Sequence, residues 1–358
     1  MNKFTYGSVC SGIEAVSVAW HYFAVPLWFS EIDKFPSAVL SHRFPDVQNV
    51  GDMLTIADKI LSGEIPAPDV LVGGTPCQAF SVAGKRESLD DERGNLTLEF
   101  VKIADAIDQV RSSKGLPPCI ILWENVPGVL NTKDNAFGCL LGCLLGGLTD
   151  YEPLRTTGKK WENAGIALGE KRNAEWRILD AQFFGVPQRR KRVFLIASVG
   201  KKSKGQILIE RKSVQGNIES GRKTQQNIAA FTESRFAQFK RTDIAGTVKS
   251  SGGTVGYGSE TLVIHGTQDP IIGVNRVHCL GCNAGKENVI YSGQQLRRLT
   301  PVEYERLQGF PDNWTKIPYR GKSAENCPDS PRYKAIGNSM VVPVVRWIGK
   351  RIENFLGV

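Results

Sequence analysis

A chain of 358 residues, at roughly 150 residues per domain, has room for about two domains. Hydrophobic residues make up 41% and charged residues 23%, a balance that excludes wholesale disorder. The net charge of +9 is carried unevenly: residues 189–223 hold eleven basic side chains against only Glu210 and Glu219, an excess equal to that of the whole chain. Such a surface suits an acidic partner, with a plain solvated face as the alternative. The longest apolar run, 139–148, is about half of what crosses a bilayer, and the N-terminus lacks an apolar stretch of signal-peptide length. A soluble, cytoplasmic chain is expected, with no membrane partner.

Taken in order, the first half alternates strands and helices, the pattern of a mostly parallel α/β sheet. Residues 4–10 read as a strand ending in the turn Cys10-Ser11-Gly12, and 14–23 as a helix. A second strand, 26–31, ends at Glu31 and Asp33. A buried strand at 69–72 runs into Gly73-Gly74-Thr75-Pro76-Cys77. From Leu96 the apolar positions Phe100, Ile103, Ala104 and Ile107 recur at helical spacing, with Asn95 as N-cap. Residues 119–123 form another buried strand, ending at Glu124-Asn125, and 192–197 a late one.

The texture changes at 200–293, which is rich in Gly, Ser, Thr, Lys and Gln with short β-like pieces such as 261–264. A second, irregular, β-leaning domain is expected there, and a helical tail from Lys334 packing back on the first. The expected division is 1–198, completed by 330–358, against 199–329 with its return segment. The eight cysteines form no framework, so reduced thiols are the default. His278 with Cys279 and Cys282 is the one metal-like group; about four ligands are needed and no second pair is suitably spaced, so no metal is expected.

Polar residues at the carboxyl ends of strands mark where open α/β sheets build sites. The first turn, Cys-Ser-Gly-Ile-Glu-Ala, is not GxGxxG, so it suits a nucleoside without phosphates, a cationic one included, better than a pyrophosphate. About twenty residues on, Glu31 stands where a carboxylate accepts both ribose hydroxyls. Cys77, at a Pro-restricted bend among glycines, is presented rather than packed away. A half-buried Glu124 beside Trp123 has the makings of a proton donor. Just before the late strand, Arg190 and Arg192 share one face and can hold an oxygen or phosphate.

In their order, Ser11-Gly12, Glu31, Asp52, Pro76-Cys77-Gln78 with Phe80-Ser81, and Arg93-Gly94-Asn95-Leu96 resemble the cytosine-5 DNA methyltransferase family of the Dcm-like, bacterial or phage type. The resemblance continues through Glu124-Asn125-Val126, Gln188 to Arg192, Leu299-Thr300-Pro301 with Glu303, Leu307-Gln308-Gly309-Phe310-Pro311, and Gly337-Asn338-Ser339. It covers nearly the whole chain except about 200–293, where the family keeps its variable target-recognition region. The sequence departs from the family at Cys10, usually aromatic, and at Glu14 and Ala15, often glycines.

The resemblance implies a Rossmann-like S-adenosylmethionine-dependent methyltransferase sheet with a smaller β-rich target-recognition domain. It implies a Cys77 thiolate adding to carbon 6 of a flipped-out cytosine, Glu124 serving ring nitrogen 3, and Arg192, with Arg190 nearby, holding the carbonyl oxygen. By the same match Cys10, Ser11, Gly12, Ile13, Glu31, Ile32, Asp52, Met53, Pro76, Leu96, Asn338 and Ser339 hold S-adenosylmethionine. Duplex DNA is the implied partner of a monomer, with Gln78, Ser81 and Arg189 at the DNA and Arg235, Lys240, Arg241, Lys249 and Arg276 as readout candidates. An RNA cytosine methyltransferase and a catalytically inactive DNA-binding relative are the rival readings. A nicotinamide dehydrogenase fails on the first turn and leaves Cys77 unexplained.

Overall fold

The computed structural model describes residues 3–75, 95–146, 160–200, 207–209, 230–234, 238–242, 277–278, 289–292 and 295–358. The chain opens with β1 (Phe4–Val9), α1 (Ala15–Trp20), β2 (Ala24–Ser30), α2 (Lys34–Arg43) and α3 (Ile56–Leu61). It continues through β3 (Val70–Gly73), α4 (Asn95–Ser113), β4 (Ile120–Asn125) and α5 (Ala136–Leu145). Then follow β5 (Ala164–Leu168), β6 (Asn173–Asp180), β7 (Gln188–Arg189) and β8 (Lys191–Ser198).

Seven strands form one sheet in the order β2-β1-β3-β4-β8-β6-β5. The buried strands read from sequence are present, but the sheet is mixed rather than mostly parallel. Pairings among β2, β1, β3 and β4 are parallel, whereas β4–β8, β8–β6 and β6–β5 are antiparallel. The reason lies in the connections. Helices carry the chain back between the parallel strands, while β5, β6 and β8 are joined by short links that can only reverse it.

Alternation along the strands sends side chains to two cores. Val70, Val72, Ile120, Leu122, Phe194 and Ile196 face one side; Leu71, Ile121, Trp123, Val193 and Leu195 face the other. Helices α3, α4 and α5 cover the second side. The first is covered by α1 and by the C-terminal α8 (Val342–Leu356), where the Trp20 indole N–H donates to Val345 O at 2.8 Å. The expected return of the tail is thus observed.

In the region expected to be β-leaning, the described residues form β9 (Ala230–Ser234) paired antiparallel with β10 (Gln238–Thr242), β11 (Val277–His278), and a pair, β12 (Val289–Ser292) with β13 (Gln295–Arg298). Strand β11 lies parallel to β7, aligning His278 with Arg189. The candidate strand 261–264, Cys279 and Cys282 lie outside the described residues. From Leu299 the return segment belongs to the first core: Leu299, Tyr304, Leu307, Phe310 and Ile317 pack there with Tyr6 and Trp20. This segment holds α6 (Pro301–Gln308), whose Thr300–Glu303 capping box fixes its start, and leads to α7 (Asp329–Asn338).

Candidate active site

A cleft of about 770 Å³ opens along the carboxyl ends of β1, β2, β3 and β4. One end is lined by Cys10, Gly12, Glu31 and Ile32, and the other by Glu124, Arg190 and Arg192. Asn338 and Lys334 of α7 form the facing wall.

The cofactor-like end is built by the β1–α1 turn. Gly12 adopts φ +59°, a conformation costly for other residues, and nothing would lie within 4 Å of a Cβ there. Its N–H donates to Glu31 Oε2 at 2.8 Å, and the Asp33 N–H donates to Oε1 at 2.7 Å. An ionised carboxylate offers about four acceptor sites, so Glu31 keeps capacity for further donors. Ile32 is 74% exposed, an apolar side chain displayed on the cleft wall. Burial, with Glu31 and Asp52 nearby, pushes the Cys10 thiol up to about 12, so it is no nucleophile.

The other cofactor candidates sit behind this lining. Ser11 spends its hydroxyl on Ser8 O at 2.9 Å, and Ile13 is fully buried, its carbonyl accepting from the Trp314 indole at 2.9 Å. Asp52 caps the turn Met53–Thr55 through Leu54 N–H at 3.0 Å, and Met53 is buried below it. Leu96 packs at the edge of the second core. Ser339 is buried beside the exposed Asn338. Pro76, Cys77, Gln78, Ser81, Arg235, Lys249 and Arg276 lie outside the described residues, and of Lys240 and Arg241 only the strand β10 is described.

The departure at Glu14 has a structural account. Glu14 turns inward at φ +60°, fully buried, and its Oε2 accepts from Ser17 N–H at 3.0 Å and Ser17 Oγ at 2.6 Å. Tyr6 Oη lies 2.6 Å from the same Ser17 Oγ. Burial raises this carboxyl from 4.5 to about 7 against those hydrogen bonds. Because the folded value lies above the unfolded one, the protonated form stabilises the fold below about pH 4.5, and that contribution is lost as pH rises through about 7. Denaturant titrations should show a decline of about 3 kcal/mol across that window, absent in Glu14→Gln. Identical pH dependence in both chains would refute it.

At the other end, Glu124 is next to last in β4 and Arg192 second in β8, adjacent strands whose last aligned pair is Asn125 with Val193. Arg192 Nε lies 3.2 Å from Glu124 Oε1. Burial raises the Glu124 carboxyl above the ordinary carboxylate range; Arg192 and Arg190 pull it back without cancelling the rise. The segment 188–192 alternates as its sequence suggests. Gln188, Arg190 and Arg192 point inward, while Arg189 and Lys191 are exposed. Gln188 Nε2 donates to Leu307 O at 2.9 Å, and Arg190 Nη2 donates to Gly337 O and Ser339 O at 3.0 and 2.9 Å. Both of these oxygens are main-chain carbonyls flanking Asn338.

Residues the sequence reading passed over also meet here. Gly74 leaves β3 so close to Glu124 that a Cβ would stand 3.2 Å from Oε2. Asn125, noticed only as part of a motif, donates from Nδ2 to Thr75 O at 3.0 Å. Lys334 Nζ reaches Asp33 Oδ2 at 2.7 Å, joining α7 to the start of α2 across the cleft rim. The first two follow from positions beside the motif residues; the last has no signal in sequence.

The family model for C-5 cytosine-specific DNA methylases matches residues 4–354. The chain is 39% identical over 465 residues to a protein of Escherichia phage P1 named DNA N-6-adenine-methyltransferase; the match takes in 98% of this chain. It spans only 61% of that relative's length. It is 28% identical over 380 residues to the Type II methyltransferase M.HpaII of Haemophilus parainfluenzae, covering 99% of this chain and 90% of that one. The Dnmt2 methyltransferase structure from S. pombe shares the fold, with TM-score 0.63 and 16% identity over 99% of this chain and 100% of its own. With the strand-end site and a family match from Phe4 almost to the C-terminal helix end, this chain belongs to the C-5 cytosine-specific DNA methylase family.

Proposed function

We propose that the chain is an S-adenosylmethionine-dependent DNA (cytosine-5-)-methyltransferase acting on a short duplex sequence. The observation that carries this reading is the Glu124–Arg192 pair, 3.2 Å apart, beside Gly74-Thr75, from which the chain runs directly into Pro76 and Cys77. Carbon 5 of cytosine is a weak nucleophile. Addition of the Cys77 thiolate forms an Sγ–C6 bond and moves the C5–C6 π pair towards carbon 5, giving an enamine. Glu124, its carboxyl raised by burial, serves as the proton donor to ring nitrogen 3, while Arg192 holds the carbonyl oxygen, so negative charge does not accumulate. Once carbon 5 carries the methyl group, loss of its proton to a base breaks the Sγ–C6 bond and frees Cys77. Arg190 orients Asn338 rather than touching the base.

The cleft suits the methyl donor. It has an open glycine turn, a carboxylate with spare acceptor capacity and an exposed apolar side chain in Ile32. S-adenosylmethionine supplies a methyl group activated on a sulfonium. Cys10, Ser11, Gly12 and Ile13 would lie along it, Glu31 at the ribose hydroxyls, Ile32, Asp52 and Met53 at the adenine, and Pro76, Leu96, Asn338 and Ser339 around the remainder. In this reading 1–198, completed by 330–358, carries the chemistry and 199–329 the recognition and return. Flipping a base out of the stack costs a few kcal/mol, which the basic stretch 189–223 offsets on the phosphates.

The phage relative's name raises N6 of adenine as a second target. An exocyclic amine is alkylated without prior addition of a thiol, and such chemistry leaves Cys77 without a role. Base-resolution sequencing that reads both 5-methylcytosine and N6-methyladenine, on DNA from a methylation-free host expressing the chain, decides between them. The expected result is 5-methylcytosine within one short motif. Methyladenine in its place, or unmethylated DNA from a folded chain that binds S-adenosylmethionine, overturns the reading.

A further inference from the structure

Pro76 has no N–H and restricts the residue before it, so the chain entering Cys77 must be anchored upstream. Thr75 is that residue. It is 2% exposed, and its Oγ1 accepts from the Trp123 indole N–H at 2.9 Å. The same Oγ1 lies 3.2 Å from Thr97 Oγ1 in the first turn of α4. Its carbonyl accepts from Asn125 Nδ2 at 3.0 Å. Trp123 and Asn125 are the two neighbours of Glu124, so both contacts come from the strand end that presents the carboxyl. Thr97 adds the far side: the segment from 76 to the start of α4 has its two flanks joined through one buried hydroxyl pair.

We infer that Thr75 is a positioning residue: its hydroxyl and carbonyl, held by Trp123, Asn125 and Thr97, set the register of the Cys77 segment against Glu124. The inference rests on the cytosine-5 chemistry proposed above for the roles of Cys77 and Glu124. A buried hydroxyl that accepts an indole N–H is a two-sided commitment. Removing it leaves the Trp123 donor without its acceptor in a site closed to water. The strand end is then free to choose a new arrangement, and displacement by about 1 Å between reacting groups costs on the order of a hundredfold in rate.

The test compares the parent chain with Thr75→Val, which keeps the shape and removes the hydroxyl, Thr75→Ser, which keeps the hydroxyl, and Trp123→Phe. Thermal unfolding establishes that each is folded. Methyl transfer to DNA should show kcat lowered about 10- to 100-fold in Thr75→Val, with KM for DNA and for S-adenosylmethionine within about twofold of the parent, and most of the loss recovered in Thr75→Ser. Thr75→Val combined with Trp123→Phe should lose less than the product of the single effects, since both remove one contact. In parallel, the rate of Cys77 alkylation by iodoacetamide, read by peptide mass spectrometry, should change in Thr75→Val and return in Thr75→Ser.

A folded Thr75→Val with parent kcat, or a loss confined to KM, overturns the inference. If the parent transfers no methyl group to DNA, the functional reading fails by itself. The alkylation rates then decide the positioning role: equal rates in the parent and Thr75→Val refute it.

Discussion

DNA from cells expressing Cys77→Ala should carry no 5-methylcytosine at the sites that the parent chain is expected to modify. The expected loss is complete because the step removed has no substitute. Without a bond at carbon 6, the π pair of the cytosine ring stays delocalised and carbon 5 does not reach the reactivity of an enamine. Cys10, which lines the cleft, cannot take over: burial pushes its thiol up to about 12. Folding and binding should survive, because the residues proposed to hold the donor and the phosphates are untouched. Calorimetric titration with S-adenosylmethionine and gel-shift titration with duplex DNA check this. Methylation that persists in the alanine chain would exclude Cys77 as the nucleophile.

Glu124→Gln should lower the methyl-transfer rate by about two to four orders of magnitude, the range that loss of a positioned proton donor produces. Glutamine still donates a hydrogen bond to ring nitrogen 3 but transfers no proton, so Glu124→Ala should lose more. The pH profile gives the sharper check. With its carboxyl raised by burial, Glu124 remains protonated beyond the usual carboxylate range, and activity falls as pH rises through its folded value. The parent profile should therefore be bell-shaped, rising as the Cys77 thiolate forms and falling as Glu124 ionises. Glu124→Gln should lose the alkaline fall and keep the acid rise. An alkaline limb that survives the substitution belongs to another group.

The candidate residues Glu124 and Arg192 were legible because each stands near a strand end, next to an apolar run that announces itself. β3, β4 and β8 are nearly continuous runs of Val, Leu and Ile, and Glu124 and Arg192 follow or precede them directly. The strands β5 and β6 left no such trace. Within β6, Glu175 is polar yet buried, its Oε1 accepting the Ile207 N–H at 2.9 Å. Arg172 just before β6 is wholly buried against Asp105 and Asp108. Periodicity counts such side chains as solvent-facing, so the antiparallel half of the sheet escaped it. The contacts of Thr75 escaped for a different reason. They join positions 22, 48 and 50 residues apart, and no local pattern encodes which of many threonines will meet a given indole.

The inward strip Gln188, Arg190 and Arg192 grips Leu307, then Gly337 and Ser339, then Glu124, so the entry to β8 and the return segment from 299 are fastened to one another on either side of the residues between them. Closing a flexible loop grows harder only with the logarithm of its length, about 0.6 kcal/mol for each doubling. A stretch fastened in this way can be lengthened, shortened or exchanged while Glu124 and Arg192 keep their separation. On the proposed function, evolution can therefore rewrite which sequence is read without renegotiating how the base is modified, and the two traits are free to diverge at different speeds.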